Sequence, residues 1–242
     1  MSGSCAESAE VAKRVAIVMP TIPRRAEAAA ATVARLSPQC DQLYVHLDGY
    51  QSVPSWVPAN ARSFVHPQKR GPSVRYSVVP EEKYVLFVDD DLQHPSDYAK
   101  QAIRALKRSG RRAAVAYHAA WWAPDAPPRY RARKVTAYWD GCEEDQHVTY
   151  VGSGTLAIRR ADLLDVDLAV PDVFSFEDDV WISAALARAG IRCVRGRSRK
   201  DWIRQTSTGD QGLWNEASED GFKKRDACIA LALAMGSWSL TR

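Results

Sequence analysis

Short apolar runs alternate with longer, helix-like segments through the first half of the chain. The apolar runs predict buried strands at residues 15–19, 43–47, 62–66, 84–88 and 113–118. The segments between them predict helices at residues 25–36, 73–79 and 96–109, the last with Ser96 as its N-cap and Gly110 just past its end. This order predicts a three-layer α/β/α sandwich with a mostly parallel central sheet.

The second half of the chain has a less regular pattern. It predicts strands at residues 134–139, 148–158 and 191–194, and helices at 179–188 and 227–235. Residues 121–133 are rich in proline, aromatic residues and arginine, which is typical of an irregular surface segment. We find no internal repeat and no low-complexity linker, so we expect one domain over residues 1–242, with a loose tail at 1–12.

Composition and charge narrow the classes of function only slightly. The net charge of +4 fits an anionic substrate but is too small to indicate nucleic-acid binding by itself. The five cysteines are scattered and form no CxxC pair, which argues against a disulfide framework and a zinc site. We see no signal peptide and no segment long enough to span a bilayer, so we expect a cytoplasmic protein or one peripheral at a membrane.

Three carboxylates follow the apolar run 84–88, and we call Asp89, Asp90 and Asp91 the strand-end acids. Adjacent acids repel one another and resist burial unless a cation neutralises them. Strand alternation predicts that Asp89 and Asp91 point to one side, where they would suit Mg²⁺ or Mn²⁺ as metal ligands. The alternative is a solvated acidic turn.

A second cluster precedes a predicted helix, and we call Glu177, Asp178 and Asp179 the helix-start acids. One or two of them could simply cap the helix and favour its dipole, but this explains three acids poorly. A carboxylate beside a metal and phosphate site is what a general base for a hydroxyl nucleophile requires.

Several loose motifs occur in an order that resembles the family 2 glycosyltransferases, which have a GT-A fold. The resemblance spans residues from about 15 to about 195. The matching motifs are Pro20-Thr21 after the first strand, Asp48 after the second, Gly71 and Arg75 before the metal strand, the D-x-D motif of Asp89 and Asp91, Gly154 in a glycine-rich stretch, and Glu177-Asp178 at a helix start.

The resemblance implies a nucleotide-sugar donor, usually a UDP-sugar, with Mn²⁺ or Mg²⁺ bridging its diphosphate. It implies that Asp89 and Asp91 bind the metal and that Asp178 is the base on the acceptor hydroxyl, with Asp179 and Glu177 as competitors. The implied donor-binding residues are Pro20, Thr21, Asp48, Gly71, Arg75, Asp90 and Gly154. Arg75 could pair with phosphate oxygens, whereas the alternative is an exposed helix residue.

The sequence therefore favours a metal-dependent glycosyltransferase that acts with inversion. Residues from about 13 to 118 would form the nucleotide-binding half, and residues from about 119 to 242 the acceptor-binding half and C-terminal segment. The acceptor could be a glycan, a lipid-linked sugar, a protein or a modified nucleic-acid base. A nucleotidyltransferase acting on sugar phosphates and a non-catalytic nucleotide- or carbohydrate-binding module are the alternatives.

The basic stretch at residues 195–200, with Arg204 after it, has three interpretations. A solvated surface is the ordinary one, a lid that clamps the diphosphate is the second, and a contact for anionic acceptors or membrane surfaces is the third. His94, which follows Asp91 closely, is expected to be structural but could line the metal site.

Overall fold

The computed structural model describes residues 15–206, 218 and 220–241. The predicted tail at 1–12 lies outside them. The strands are β1 Val15–Thr21, β2 Gln42–Asp48, β3 Arg62–His66, β4 Tyr84–Val88, β5 Leu92–Gln93, β6 Ala113–Ala116, β7 Ala119–Trp121, β8 Lys134–Thr136, β9 Gln146–Val148, β10 Tyr150–Val151, β11 Thr155–Arg159, β12 Arg192–Arg195 and β13 Arg204–Gln205. The helices are α1 Ala26–Leu36, α2 Tyr98–Arg108, α3 Arg160–Leu163, α4 Asp178–Arg188 and α5 Lys223–Ala234.

A mostly parallel sheet of eight strands forms the centre of the fold, in the order β3-β2-β1-β4-β11-β6-β12-β9. Strands β1 to β4 run parallel to one another, while β11 runs antiparallel between β4 and β6. Residues Leu36 of α1 and Ile103 of α2 pack on one face of the sheet, and Leu186 of α4 packs on the other. This arrangement confirms the predicted three-layer α/β fold class.

The register of the parallel strands brings their carboxyl ends to one edge of the sheet. Thr21 at the end of β1 pairs with Leu47 of β2, next to Asp48. Strand β4 pairs with the other side of β1 and ends directly before Asp89. The carboxyl edge of an open α/β sheet is where such folds bind ligands.

Several predicted elements are wrong in their extent. The predicted helix at 73–79 is only a short 3-10 helix, Pro72–Tyr76. The single strand predicted at 148–158 is divided into parts of β9, β10 and β11, because the chain turns at 152–154 and the N–H of Gly152 donates to the carbonyl of His118. The N-cap of α2 is Asp97 instead of Ser96. Among the described helices, none has the length and apolar character needed to cross a bilayer.

Candidate active site

All the predicted site residues line one cleft at the carboxyl edge of the sheet, with a volume of about 260 Å³. This central cleft collects side chains from the ends of β1, β2 and β4, from the turn between β10 and β11, and from the start of α4. The predicted residues that line it are Pro20, Thr21, Asp48, Gly71, Arg75, Asp89, Asp90, Asp91, Gly154, Glu177, Asp178 and Asp179.

The strand-end acids are divided between two arginines. Arg25 places its Nη1 atom 2.8 Å from Oδ1 of Asp90 and 3.2 Å from Oδ2 of Asp91. Asp89 instead accepts a hydrogen bond of 2.8 Å from Nη2 of Arg75. Strict strand alternation does not describe this grouping, because β4 ends before the first acid and the chain turns directly afterwards.

Asp89 lies against the turn between β10 and β11. Its backbone N–H donates to the carbonyl of Gly154 at 3.2 Å. A Cβ atom on Gly154 would stand only 1.9 Å from Oδ2 of Asp89. Any side chain here would displace the carboxylate, so the close approach of backbone to Asp89 requires glycine.

Asp48 uses its carboxylate to hold the loop that precedes Arg75. The two carboxylate oxygens accept hydrogen bonds from the backbone N–H groups of Arg70, at 2.7 Å, and Gly71, at 2.9 Å. Gly71 has a φ of +86°, a conformation that other residues rarely adopt. The buried Asp48 therefore positions the cleft wall that Gly71 forms beside Thr21.

Arg75 joins the two acid clusters. Its Nε atom lies 3.3 Å from Oδ2 of Asp178 and donates to the carbonyl of Pro72 at 3.1 Å, while its Nη2 atom reaches Asp89. The residue is only 2% exposed, so the alternative of an exposed helix residue is wrong. Two carboxylate partners offset the desolvation of the buried guanidinium.

Ser153 holds Asp178 and Asp179 side by side. Its hydroxyl donates to Oδ2 of Asp178 at 3.0 Å, and its backbone N–H donates to Oδ1 of Asp179 at 2.7 Å. The Tyr150 hydroxyl donates to the other oxygen of Asp179 at 3.2 Å. These bonds direct both carboxylates toward the turn that faces Asp89.

The two aspartates differ in proton affinity. Burial raises the pKa of Asp178 to about 7, with the charges of Asp179 and Asp89 adding to the shift and Arg75 opposing it. Burial also acts to raise the pKa of Asp179, but hydrogen bonds from Ser153 together with His118 and Arg75 hold that pKa below its usual value. Asp178 can therefore exchange a proton near neutral pH, while Asp179 stays ionised.

Glu177 has a separate partner on α5. Its Oε2 atom lies 2.7 Å from Nε of Arg225, and the carboxylate is buried. Burial raises the pKa of Glu177, and Arg225 opposes that shift. Glu177 is the N-cap residue of α4 yet makes no side-chain capping bond, so simple capping does not account for it.

The strand-end acids are chemically suited to a hard cation, although they do not form a complete metal site by themselves. In the part of the chain that the structure describes, no three His, Cys, Asp or Glu side chains form a metal-binding group. Mg²⁺ usually binds through one or two carboxylates, several waters and substrate phosphates, which Asp89 and Asp91 could satisfy. His94 is fully buried outside the cleft and packs edge-on against Tyr98, so it is a core residue.

The residues that line the central cleft and that sequence reasoning missed include Arg25, His118, Tyr150, Ser153 and Arg225. Ser153 had a signal, because it lies between the two glycines of a noted motif. Nothing in the local sequence distinguishes Arg25 from the arginine before it. The other three reach the cleft through long-range packing that local patterns do not encode.

The basic stretch after β12 does not border the central cleft. Arg197 and Arg199 instead line a second cleft of about 420 Å³, together with Asp97 and Trp202. Arg195 is fully buried. The interpretation of this stretch as a clamp on the diphosphate therefore has no support in the geometry.

Comparisons with known proteins agree with the fold. No protein-family model and no curated protein matches the sequence. A crystal structure of glucosyl-3-phosphoglycerate synthase from Mycobacterium tuberculosis, in complex with phosphoglyceric acid, is 15% identical, with 91% of this chain and 82% of that chain covered and a TM-score of 0.49. The crystal structure of a mycobacterial protein is 16% identical, with 91% and 77% covered and a TM-score of 0.50.

Identities this low bear on the fold alone. The central sheet, its mostly parallel order and its flanking helices define a three-layer α/β fold. What the cleft does has to be argued from its own side chains.

Proposed function

We propose that this protein is a glycosyltransferase that moves a sugar from a nucleotide-sugar donor to an acceptor hydroxyl with the help of Mn²⁺ or Mg²⁺. One observation carries the proposal: two strand-end carboxylates, Asp89 and Asp91, share one cleft with Asp178, a carboxyl group whose pKa burial raises to about 7. Arg75 links them, with Nη2 2.8 Å from Asp89 and Nε 3.3 Å from Asp178. This combination suits a reaction that expels a diphosphate and removes a proton.

The strand-end side of the cleft suits the donor. Asp89 and Asp91 would hold the metal ion, which stabilises negative charge on a departing diphosphate when it is bound. Arg75 supplies guanidinium N–H groups that pair well with phosphate oxygens. Thr21 and Asp48, at the ends of β1 and β2, form the wall that we assign to the nucleoside. The family resemblance makes UDP the nucleotide of choice for testing.

Asp178 is the proposed general base. It would take the proton of the acceptor hydroxyl as the hydroxyl oxygen attacks the anomeric carbon. The bond from that carbon to the diphosphate oxygen breaks in the same displacement, and its electron pair leaves with the nucleotide. The anomeric configuration therefore inverts. Ser153 orients the base, and Asp179 stays ionised beside it.

No specific observation favours the alternative functions. A nucleotidyltransferase would favour a glycine-rich, lysine-containing loop after the first strand, whereas residues 22–25 contain neither glycine nor lysine. A non-catalytic binding module has no need for a buried carboxyl group that exchanges a proton near pH 7.

The test uses a panel of nucleotide sugars, incubated with Mn²⁺ and scored for free nucleotide. We expect release from at least one UDP-sugar, and calorimetry should show that UDP binds more tightly with Mn²⁺ than with EDTA. Asp178→Asn should stop the release while reducing UDP binding far less, whereas Asp172→Asn, at an exposed position before α4, should change neither the release nor the UDP affinity. Pyrophosphate release from a nucleoside triphosphate and a sugar phosphate would favour the nucleotidyltransferase. Equal UDP affinity in Mn²⁺ and in EDTA would show that UDP binding does not use a metal.

A further inference from the structure

Arg25 bridges two neighbouring acids that differ in burial. Its Nη1 atom lies 2.8 Å from Asp90, whose side chain is 4% exposed, and 3.2 Å from Asp91, whose side chain is 14% exposed. The Thr32 hydroxyl on α1 donates to the carbonyl of Asp90 at 3.1 Å, which ties the helix that follows Arg25 to the acidic turn. Asp90 is thus the anchor of Arg25, and Asp91 is its accessible partner.

Arg75 repeats this arrangement on the other side of the turn. Its buried partner is Asp178, whose side chain is 6% exposed, and its accessible partner is Asp89, whose side chain is 38% exposed. The carbonyl of Pro72 gives Arg75 a further fixed contact at 3.1 Å. Both arginines are therefore held by a deep carboxylate and shared with a shallower one. In each case the shallower carboxylate is a residue that we assign to the metal.

We propose that Arg25 and Arg75 are positioning residues that stand in for the metal's positive charge before the metal arrives. The inference rests on the proposed function, because it assumes that Asp89 and Asp91 bind the divalent ion. Carboxylates this close together repel, and the guanidinium groups keep them directed into the cleft. Each arginine keeps its deep partner when its shallow partner binds the ion.

This arrangement has a consequence for the order of binding. A divalent ion that binds alone competes with the arginines for Asp89 and Asp91, so its affinity is reduced. A diphosphate that binds with the ion gives the guanidinium N–H groups new acceptors, which replace the oxygens of Asp89 and Asp91 that the ion has taken. Metal and nucleoside diphosphate should therefore bind cooperatively, and each should strengthen the other by the same factor.

Calorimetric titration of Mn²⁺ into the metal-free protein, with and without UDP, tests the inference. Arg25→Gln removes one competitor, so Mn²⁺ alone should bind about threefold to tenfold more tightly, and the gain from UDP should shrink by a similar factor. Arg35→Gln removes the same charge from the exposed side of α1 and should change neither value. Asp90→Asn leaves Arg25 paired with Asp91 alone, so Mn²⁺ alone should bind more weakly than in the wild type.

Thermal unfolding gives a readout that does not depend on activity. In EDTA, Arg25→Gln should unfold at a lower temperature than the wild type, because Asp90 is left as an unpaired buried charge. Mn²⁺ should then raise its unfolding temperature by more than it raises that of the wild type.

The outcomes separate this inference from the proposed function. If Arg25→Gln binds Mn²⁺ alone no more tightly than the wild type, while UDP binding still requires the metal, the inference is wrong and the function stands. If UDP binds the wild type equally tightly with and without the metal, Asp89 and Asp91 are not metal ligands. Both the inference and the metal dependence of the proposed function are then wrong. Should Arg25→Gln not fold, Asp90→Asn decides: equal or tighter binding of Mn²⁺ alone would overturn the inference.

Discussion

The strand-end acids and the helix-start acids contain nearly the same residues and share Arg75, but their other partners differ. Each cluster has one carboxyl group whose pKa burial raises to about 7, Asp91 in the first and Asp178 in the second. At the strand end the side-chain partners are guanidinium groups, which only donate. At the helix start Asp178 is also held by the Ser153 hydroxyl.

The type of partner decides what a carboxyl group can do. A hydroxyl can donate to a carboxylate and accept from a carboxylic acid, so Ser153 can keep its bond to Asp178 in both protonation states. A guanidinium cannot accept, but a bound cation can take its place beside a carboxylate. The strand-end acids are therefore suited to exchanging one cation for another, and the helix-start acids to moving a proton.

The largest effect should come from removing the proton acceptor. Asp178→Asn nearly keeps the shape of the side chain but removes the basic oxygen, so kcat should fall by at least about 100-fold. The UDP affinity should change far less than kcat, because Asp178 contacts the strand-end acids only indirectly, through Arg75. Asp179→Asn should matter less, since the lowered pKa of Asp179 makes it the weaker base of the two. Steady-state kinetics and calorimetry provide both values.

The stereochemical outcome is part of the same prediction. NMR of the anomeric proton of the product should show inverted configuration. Retention, or near-normal turnover by Asp178→Asn, would contradict the assignment and leave Asp179 or Glu177 to be tested as the base.

The next effect concerns the metal and separates Asp91 from Asp90. Asp91→Ala should weaken Mn²⁺ binding in the presence of UDP by more than the roughly 10- to 100-fold typical of a change outside the first coordination shell. Asp90→Ala should stay within that range, because Asp90 acts through Arg25. Calorimetry with the two variants at one UDP concentration measures the difference. Equal losses would mean that both carboxylates bind the ion directly.

A smaller effect should follow from moving Asp89 without removing it. Gly154→Ala places a Cβ atom where Oδ2 of Asp89 lies, at 1.9 Å, so the carboxylate has to shift. We expect Mn²⁺ affinity to fall by about tenfold, by analogy with changes around metal ligands. The free energy of unfolding should fall by about 1–3 kcal/mol, as is typical of overpacking. Gly141→Ala, outside the cleft, should leave Mn²⁺ affinity unchanged; loss of affinity there would point to a general fold effect.

Local sequence patterns predicted the elements that end at the cleft better than the contacts inside it. The strand at 84–88 has the predicted bounds, because a fully buried apolar run between turn residues leaves little choice, and the half-exposed strand at 62–66 has them as well. The motif order placed the predicted site residues around one cleft. The role of Arg25 could not be predicted, because its acidic partners lie far along the chain and only the fold brings them together.

The region between β9 and β11 shows the same limit in a different form. The β-branched and apolar residues on both sides of the glycines predicted one strand from 148 to 158, yet the chain turns at Gly152 and Gly154. The reason is tertiary: Gly154 has to lie against Asp89, and a ring atom of His118 fills the space at Gly152. A residue-by-residue pattern contains no information about that requirement.

The smallest effect should come from Asp48. It tests whether the nucleoside end of the cleft serves donor binding, as we propose for the strand-end acids. Asp48→Ala leaves the N–H groups of Arg70 and Gly71 without their acceptors, so the loop that leads to Arg75 should lose its fixed position. We expect the donor KM to rise about threefold to tenfold with little change in kcat, the pattern of lost binding without lost transition-state stabilisation.

Asp48→Asn is the matched variant, because its amide oxygen can still accept one of the two hydrogen bonds. Its donor KM should therefore lie between that of the wild type and that of Asp48→Ala. When Asp178→Asn is added to either Asp48 variant, kcat should fall by the same factor as it does in the wild type, since Asp48 does not contact the helix-start acids. A donor KM that stays unchanged in Asp48→Ala would place the nucleoside elsewhere. A fall in kcat without a change in KM would instead connect the loop to proton transfer through Arg75, and the distinction between the two acid clusters would then be less complete than their contacts indicate.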